Sequence, residues 1–199
     1  MTLRQIAAAS ILALATTTGC SSMSQGDPKN PNRNPHPVKR YEVIARADAP
    51  GPWDSVKGVV FFDVVNVDCV PKDSFTGGRN VPNVGYDFEM TRVDGKTWKG
   101  YFYRDMLQDA NYFGLGVCHW DATGMGPEFS VHGATFTPSR GLEQALQAGS
   151  YTEYFKRSAY GDRSFTGVGA QKFLASDPEI AQHSDDFFPI TVTVKETTP

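Results

Sequence analysis

The stretch Val59-Val60-Phe61-Phe62-Asp63-Val64-Val65-Asn66-Val67 consists almost entirely of β-branched and aromatic residues. Gly58 precedes it and Pro71 closes it. Residues of these types fit the pleated, packed surface of a sheet better than a helix. The stretch is therefore predicted to be a buried strand, and the fold around it to be rich in β-structure.

Six further segments on either side carry the same strand pattern. Asp94-Gly95 separates two of them, and because its glycine readily takes φ > 0, a hairpin is predicted there. In the segment 111–120, Cys118 and Trp120 lie two residues apart, so both side chains are expected to face the core. The six predicted strands are 41–47, 86–93, 97–104, 111–120, 129–136 and 188–194.

Later in the chain the pattern becomes helical. Leu142, Ala145 and Leu146 share one helical face, and the Ser-x-x-Glu spacing of Ser150–Glu153 and Ser176–Glu179 is typical of a helix start. Seven strands without βαβ alternation favour antiparallel pairing. The predicted fold is a β-rich α+β domain: an antiparallel β-sandwich of about seven strands with two or three short helices packed beside it.

The N-terminus has the features of an export signal. Arg4 precedes an apolar run over 6–15, which is shorter than the roughly 20 residues that a membrane-spanning helix needs. Residues 1–19 are therefore predicted to be a signal peptide that is removed. Residues 20–38, rich in Pro, Asn and Ser, are predicted to be a flexible tether, and 39–199 a single globular domain.

The segment Leu14–Cys20 resembles the lipobox of bacterial lipoproteins, in which small residues precede a cysteine that becomes the lipidated N-terminus. The match lies at Gly19 and Cys20, whereas a threonine stands where that family usually has leucine. The resemblance implies lipidation of Cys20 and a periplasmic location. Ser21, in place of an aspartate, implies sorting to the outer membrane. An ordinary signal-peptidase cut is the alternative.

Composition narrows the classes of partner. The chain has 199 residues, 40% of them hydrophobic, which is enough for one domain with a core. Its formal net charge of -3 argues against nucleic acid as a partner. Once Cys20 carries lipid, Cys69 and Cys118 remain in an oxidising compartment and are predicted to form one disulfide, worth about 4 kcal/mol. A catalytic thiol is the alternative interpretation.

Motifs of metal or nucleophilic catalysis are missing from the sequence, including HExxH, GxSxG and paired CxxC. No cofactor and no metal are therefore predicted. One hypothetical acid–base or metal site combines His119 and His132 with Asp121 or Asp185. The alternative is that these histidines are half-exposed strand residues without chemistry.

Aromatic residues suggest a binding surface. In the strand 97–104, Tyr101 and Tyr103 lie on the face opposite Trp98 and Phe102, and only one face of such a strand usually meets the core. The tyrosine pair is therefore a predicted contact for a protein partner, since tyrosine offers large area at low entropy cost. Arg79 and Arg104 are predicted to lie at its rim.

Three functions remain open. The first is a membrane-tethered periplasmic binding protein, an inhibitor or immunity factor that blocks a toxin or hydrolase. Asp68–Pro71 and Gly114–Trp120 resemble segments of periplasmic immunity lipoproteins of secreted antibacterial effectors, and the resemblance implies a protein partner. The second is an envelope hydrolase that uses His119 and His132. The third is a structural accessory lipoprotein of an outer-membrane complex.

Overall fold

The computed structural model describes residues 26–164 and 167–198. The predicted signal peptide 1–19, the predicted lipidation site Cys20 and the first residues of the predicted tether lie outside these residues.

Ten strands and three short α-helices make up the regular structure of the described residues. The strands are β1 (Arg40–Ala47), β2 (Ser55–Val64), β3 (Asn83–Arg92), β4 (Thr97–Tyr103), β5 (Trp120–Val131), β6 (Ala134–Phe136), β7 (Arg140–Gly141), β8 (Ser150–Lys156), β9 (Lys172–Phe173) and β10 (Phe187–Thr197). The helices are α1 (Leu142–Ala148), α2 (Arg157–Gly161) and α3 (Pro178–Gln182), with 3-10 turns at Val67–Cys69 and Ser184–Asp186.

All ten strands belong to one antiparallel sheet. Its order is β6-β5-β2-β3-β4-β1-β10-β8-β9, and β7 adds to β5. The two ends of the sheet approach each other, since the Ala170 N–H donates to the Thr135 carbonyl at 2.7 Å just before β9. The β-rich antiparallel prediction is confirmed. The sheet is nearly closed and barrel-like, however, where the sequence predicted a seven-stranded sandwich.

Residues 59–64 of the predicted buried strand 59–67 form the second half of β2. Val60, Phe62 and Val64 are buried on its inner face, and the strand pairs with both β3 and β5. Gly58 is required by packing, because a Cβ there would lie 2.0 Å from the Phe88 ring. The strand begins earlier than predicted and ends at Val64, so the last residues of the stretch leave the sheet.

The predicted hairpin between β3 and β4 is confirmed, but for a different local reason. Gly95 does not take φ > 0. The turn is held instead by Asp94, whose carboxylate accepts the Lys96 N–H at 2.8 Å, and by the Val93 N–H, which donates to the Thr97 carbonyl at 2.8 Å. Side-chain capping of the turn therefore replaces the expected glycine conformation.

The predicted strand 111–120 is wrong except at its last residue. Residues 111–119 form a loop in which Gly114 and Gly116 have φ of 75° and 116°. Only glycine adopts this conformation without strain, so the chain turns where alternation suggested extension. Cys118 and Trp120 are nevertheless both buried, as predicted.

Two more predictions of secondary structure are corrected. The segment 129–136 is a hairpin between β5 and β6, because His132 and Gly133 both take positive φ, 52° and 84°, at a two-residue turn. Ser150–Glu153 starts β8 and not a helix, since pairing with β10 places Tyr151 and Glu153 on the buried face. The predicted helices at α1 and α3 are confirmed.

The chain before β1 runs along the domain. The Gln108 N–H donates to the Asn32 carbonyl at 2.9 Å. Both oxygens of the Asp105 carboxylate accept backbone N–H groups, from Val38 and Lys39, each at 2.9 Å. Part of the segment that the sequence assigned to the tether is therefore in contact with the globular domain, and Gly26 already lies against Tyr112.

Candidate protein-binding surface

A disulfide joins two loops at one end of the sheet. Cys69 lies in the 3-10 turn after β2 and Cys118 lies just before β5, with their Cα atoms 5.3 Å apart. The predicted disulfide is therefore present, and both residues are buried. We call the exposed side of the two loops, 65–79 and 109–119, the loop surface.

Asn66 ties the two loops together beside the disulfide. Its side-chain amide donates to the Val117 carbonyl at 2.8 Å and accepts the His119 N–H at 2.6 Å. The Val65 N–H also donates to the His119 carbonyl, at 2.9 Å. Because these bonds flank the covalent link, the two loops form one rigid unit.

The loop surface exposes large apolar side chains. Phe75 is 97% exposed, and four aliphatic side chains are about half exposed. Isolated exposed apolar residues are ordinary, but a group on two linked loops is typical of an interaction site. The four aliphatic residues are Val65, Val67, Leu115 and Val117.

The segment that carries Phe75 is held by its own hydrogen bonds. One oxygen of the Asp73 carboxylate accepts the Phe75 N–H at 3.0 Å, the Thr76 N–H at 2.7 Å and the Thr76 hydroxyl at 2.9 Å. These bonds, that of the Thr76 N–H foremost, lower the pKa of Asp73. The Asp73 N–H donates to the Gly78 carbonyl at 2.7 Å and closes the turn. Phe75 therefore projects from a fixed turn.

Arg79 holds the same turn against the 3-10 segment. Its guanidinium donates to the Val70 carbonyl and pairs with the Asp68 carboxylate at 3.2 Å. The sequence placed Arg79 at the rim of a tyrosine surface, but the structure places it in the loop surface. Its partners, Asp68 and Val70, lie in the 3-10 segment and directly after it.

Tyr101 and Tyr103 lie on the outer face of β4, as predicted, opposite the buried Trp98 and Phe102. Tyr101 is 37% exposed and its hydroxyl donates to Glu42 at 3.0 Å. The Arg40 guanidinium lies 4.2 Å from the centre of its ring. The Tyr101 ring is thus partly covered by its own neighbours.

Each of the three guanidinium nitrogens of Arg104 has a partner within the protein. It makes two hydrogen bonds of 2.6 Å with the Asp121 carboxylate and an ion pair of 2.7 Å with Glu143. The Asp121 carboxylate raises the pKa of Arg104. Arg104 therefore joins the end of β4 to β5 and α1, and its guanidinium is not presented to a partner.

The hypothetical histidine site is not assembled. His119 and His132 flank the two ends of β5, whose 12 residues separate them by roughly 40 Å at about 3.3 Å per residue. His119 pairs instead with Asp109, Nδ1 to Oδ2, at 2.7 Å. Asp185 lies in a 3-10 turn at Ser184–Asp186. Over 26–164 and 167–198, no group of three acidic, histidine or cysteine side chains is placed to hold a metal.

Comparison with known proteins finds no family model, no curated protein and no solved structure that matches this chain. None of the helices in the part of the chain that the structure describes is long and apolar enough to cross a membrane.

Sequence reasoning found the disulfide but missed the exposed residues around it. The sequence pattern predicted that Val65 and Val67 end one buried strand and that Val117 belongs to another. Phe75 carried one usable signal: it is a lone aromatic in Asp73–Gly78, a run of turn-forming residues. An aromatic residue that local turn chemistry does not need is a candidate for contact with a partner.

Proposed function

We propose that this protein is a membrane-tethered periplasmic binding protein, an inhibitor or immunity factor, and that the loop surface contacts the toxin or hydrolase it blocks. The observation that carries this proposal is the 97% exposure of Phe75 on a turn fixed by Asp73 and Arg79. Exposing a phenylalanine ring to water is unfavourable. A partner that covers the ring would remove this unfavourable exposure, and the fixed turn already holds the ring in place for such a contact.

Rigidity matters for the affinity of such a surface. Binding orders loops and side chains at a cost of about 0.5–1.5 kcal/mol for each immobilised side chain. The disulfide and the Asn66 bonds have already ordered both loops in the free protein. An exposed aromatic ring also suits a protein interface, since aromatic residues are enriched in the cores of such interfaces.

The predicted export signal, the lipidation predicted at Cys20 and the disulfide support a site of action in the envelope. The hydrolase alternative receives no support from His119 and His132, because they lie at opposite ends of β5. The accessory alternative shares the requirement for a protein partner and is distinguished by whether binding abolishes the partner's activity.

The test uses the full-length chain and the secreted proteins encoded by adjacent genes as candidate partners. Phe75→Ala is expected to weaken binding of the true partner about 30-fold or more, the effect of a hot-spot residue of at least 2 kcal/mol. Stability should stay within about 0.5 kcal/mol, since the ring is exposed. Binding and inhibition are measured by titration calorimetry and by the partner's activity.

Two variants serve as controls. Val93→Asp alters an exposed valine in the β3–β4 hairpin, at the other end of the sheet, and should leave affinity unchanged. Tyr101→Ala tests the outer face of β4. An affinity that falls with Tyr101→Ala but not with Phe75→Ala would move the binding site to that face and refute the loop surface.

A further inference from the structure

A cleft of about 530 Å³ opens at the end of the sheet opposite the loop surface. It lies between the segment before β2 and the hairpin that joins β3 to β4. Its volume falls within the roughly 300–1,000 Å³ of small-molecule sites. The whole length of β2 separates it from the loop surface, so the two sites are independent.

Two tryptophans provide the apolar part of the cleft. Trp53 packs against Phe129 and Tyr160, with ring centres 5.0 and 5.2 Å apart, and Trp98 packs edge-on against Phe129 at 5.2 Å. Met90 lies beside them. Both indoles are therefore fixed by the core. Trp98 is buried with the Arg92 guanidinium 5.7 Å from its ring centre, so Trp53, which is partly exposed, supplies the apolar surface.

The indole N–H groups of these tryptophans are open to a ligand. Among the described residues, neither Trp53 nor Trp98 donates a hydrogen bond from its ring nitrogen, although Trp98 is only 7% exposed. The ring of Trp120, outside the cleft, donates to the Tyr112 hydroxyl at 3.0 Å. The cleft thus contains two uncommitted donors attached to an apolar surface.

Arg92 and Asp54 add charged hydrogen-bonding atoms. The guanidinium of Arg92 uses Nε and Nη2 on the Asp94 and Gly95 carbonyls, at 2.9 and 3.0 Å, which leaves Nη1. One oxygen of Asp54 accepts the His132 N–H at 2.8 Å, and the other accepts no hydrogen bond from the described residues. A cationic donor, Arg92, and an anionic acceptor, Asp54, therefore line the same cleft as the two indoles.

We propose that this cleft binds a saccharide. A pyranose ring has an apolar C–H face that packs on an indole, and its hydroxyl groups both donate and accept hydrogen bonds. A simple anion would satisfy Arg92 and the indole N–H groups but would leave the Asp54 oxygen facing a like charge. A purely apolar ligand would leave all of these polar atoms without partners, which is costly on desolvation.

The test follows the three indole N–H resonances of the full-length, nitrogen-15-labelled chain. Glucose, N-acetylglucosamine and glucuronic acid are titrated separately into the millimolar range. At least one of the three is expected to shift the resonances of Trp53 and Trp98 while that of Trp120 stays in place, because Trp120 lies outside the cleft. The charged sugar separates a preference for an acidic saccharide from one for a neutral saccharide.

Two variants test the polar groups. Arg92→Ala and Asp54→Asn should each weaken the apparent affinity about tenfold, the effect of losing one good hydrogen bond to a charged group. Asp54→Asn keeps an oxygen for the His132 N–H and so preserves the loop. Asp87→Asn, at an exposed aspartate on β3, is the matched control and should bind as the unaltered chain does.

Three results would overturn the proposal: no shift with any of the three sugars, shifts of all three indoles together, or affinities that Arg92→Ala and Asp54→Asn leave unchanged. Protein binding at the loop surface is measured by separate variants, so failure of one proposal does not carry over to the other.

Discussion

Glu42 and Glu153 are the two buried charged residues of the described part of the chain, and their surroundings shift their pKa values in opposite directions. Glu42 meets the Lys99 and Lys195 ammonium groups at 2.5 and 3.0 Å. The hydrogen bond from Lys99 is the main reason that the pKa of Glu42 falls from 4.5 to about 2. Burial raises the pKa of Glu153, since Lys172, 3.4 Å away, compensates only in part.

Glu42→Gln should lower the free energy of unfolding at neutral pH by about 1–2 kcal/mol. The expected effect is no larger because both lysines are exposed, and solvent weakens their attraction to the carboxylate. A folded pKa below the unfolded value gives stability that is present above pH 4.5 and is lost as the pH falls towards 2. The variant should therefore lose less stability than the unaltered chain across that window. Urea unfolding at several pH values measures both effects. Glu89→Gln, at an exposed glutamate of β3, should change neither.

Glu153→Gln should have the opposite effect and raise stability at pH 7–8 by about 1 kcal/mol. A folded pKa above the unfolded 4.5 means that the native state holds the proton more tightly, so stability falls as the pH rises through the window above 4.5. The amide removes that loss and keeps the shape of the side chain. The idea fails if Glu153→Gln is less stable than the unaltered chain at pH 8 while Glu196→Gln, at an exposed glutamate of β10, is unchanged.

Among the single elements, the turn between β5 and β6 requires two residues in the left-handed backbone conformation. His132 and Gly133 take φ of 52° and 84°, which costs an L-residue about 1–2 kcal/mol. Gly133→Ala should therefore lower stability by about 1 kcal/mol in thermal unfolding. Gly161→Ala is the matched control, because Gly161 ends α2 with open space around its Cα and no positive φ. Equal losses of stability in the two variants would contradict the claim that the positive φ of Gly133 makes glycine necessary there.

The elements that sequence predicts well are those whose local pattern agrees with their tertiary environment. β1, β4 and α1 were found within one or two residues. β8 was missed because Ser150–Glu153 has helix-start spacing, and only pairing with β10, distant in sequence, makes it a strand. The turn-forming residues around Phe75 were one signal that it is exposed, but whether a loop residue is covered depends on the whole fold.

For the molecule as a whole, the disulfide is the main covalent constraint. It closes a loop with a sequence separation of 49 residues, worth about 4 kcal/mol in the chain-entropy model. Replacing Cys69 and Cys118 together by alanine should lower the free energy of unfolding by about 3–4 kcal/mol. Hydrogen exchange should accelerate first in 65–79 and 109–119, while the β1–β10 ladder keeps its protection. A reducing agent should destabilise the unaltered chain and leave the double variant unchanged.

The described chain starts beside the loop surface. Gly26 lies against Tyr112, next to the loop surface, with a Cβ built there 3.5 Å from the ring. Tyr112 belongs to the loop 109–119, so Gly26 lies at the disulfide end of the sheet and not at the end that carries the tryptophan cleft. If the proposed tether leaves the domain there, the membrane anchor and the loop surface share one end of the sheet, and the tryptophan cleft lies at the other end.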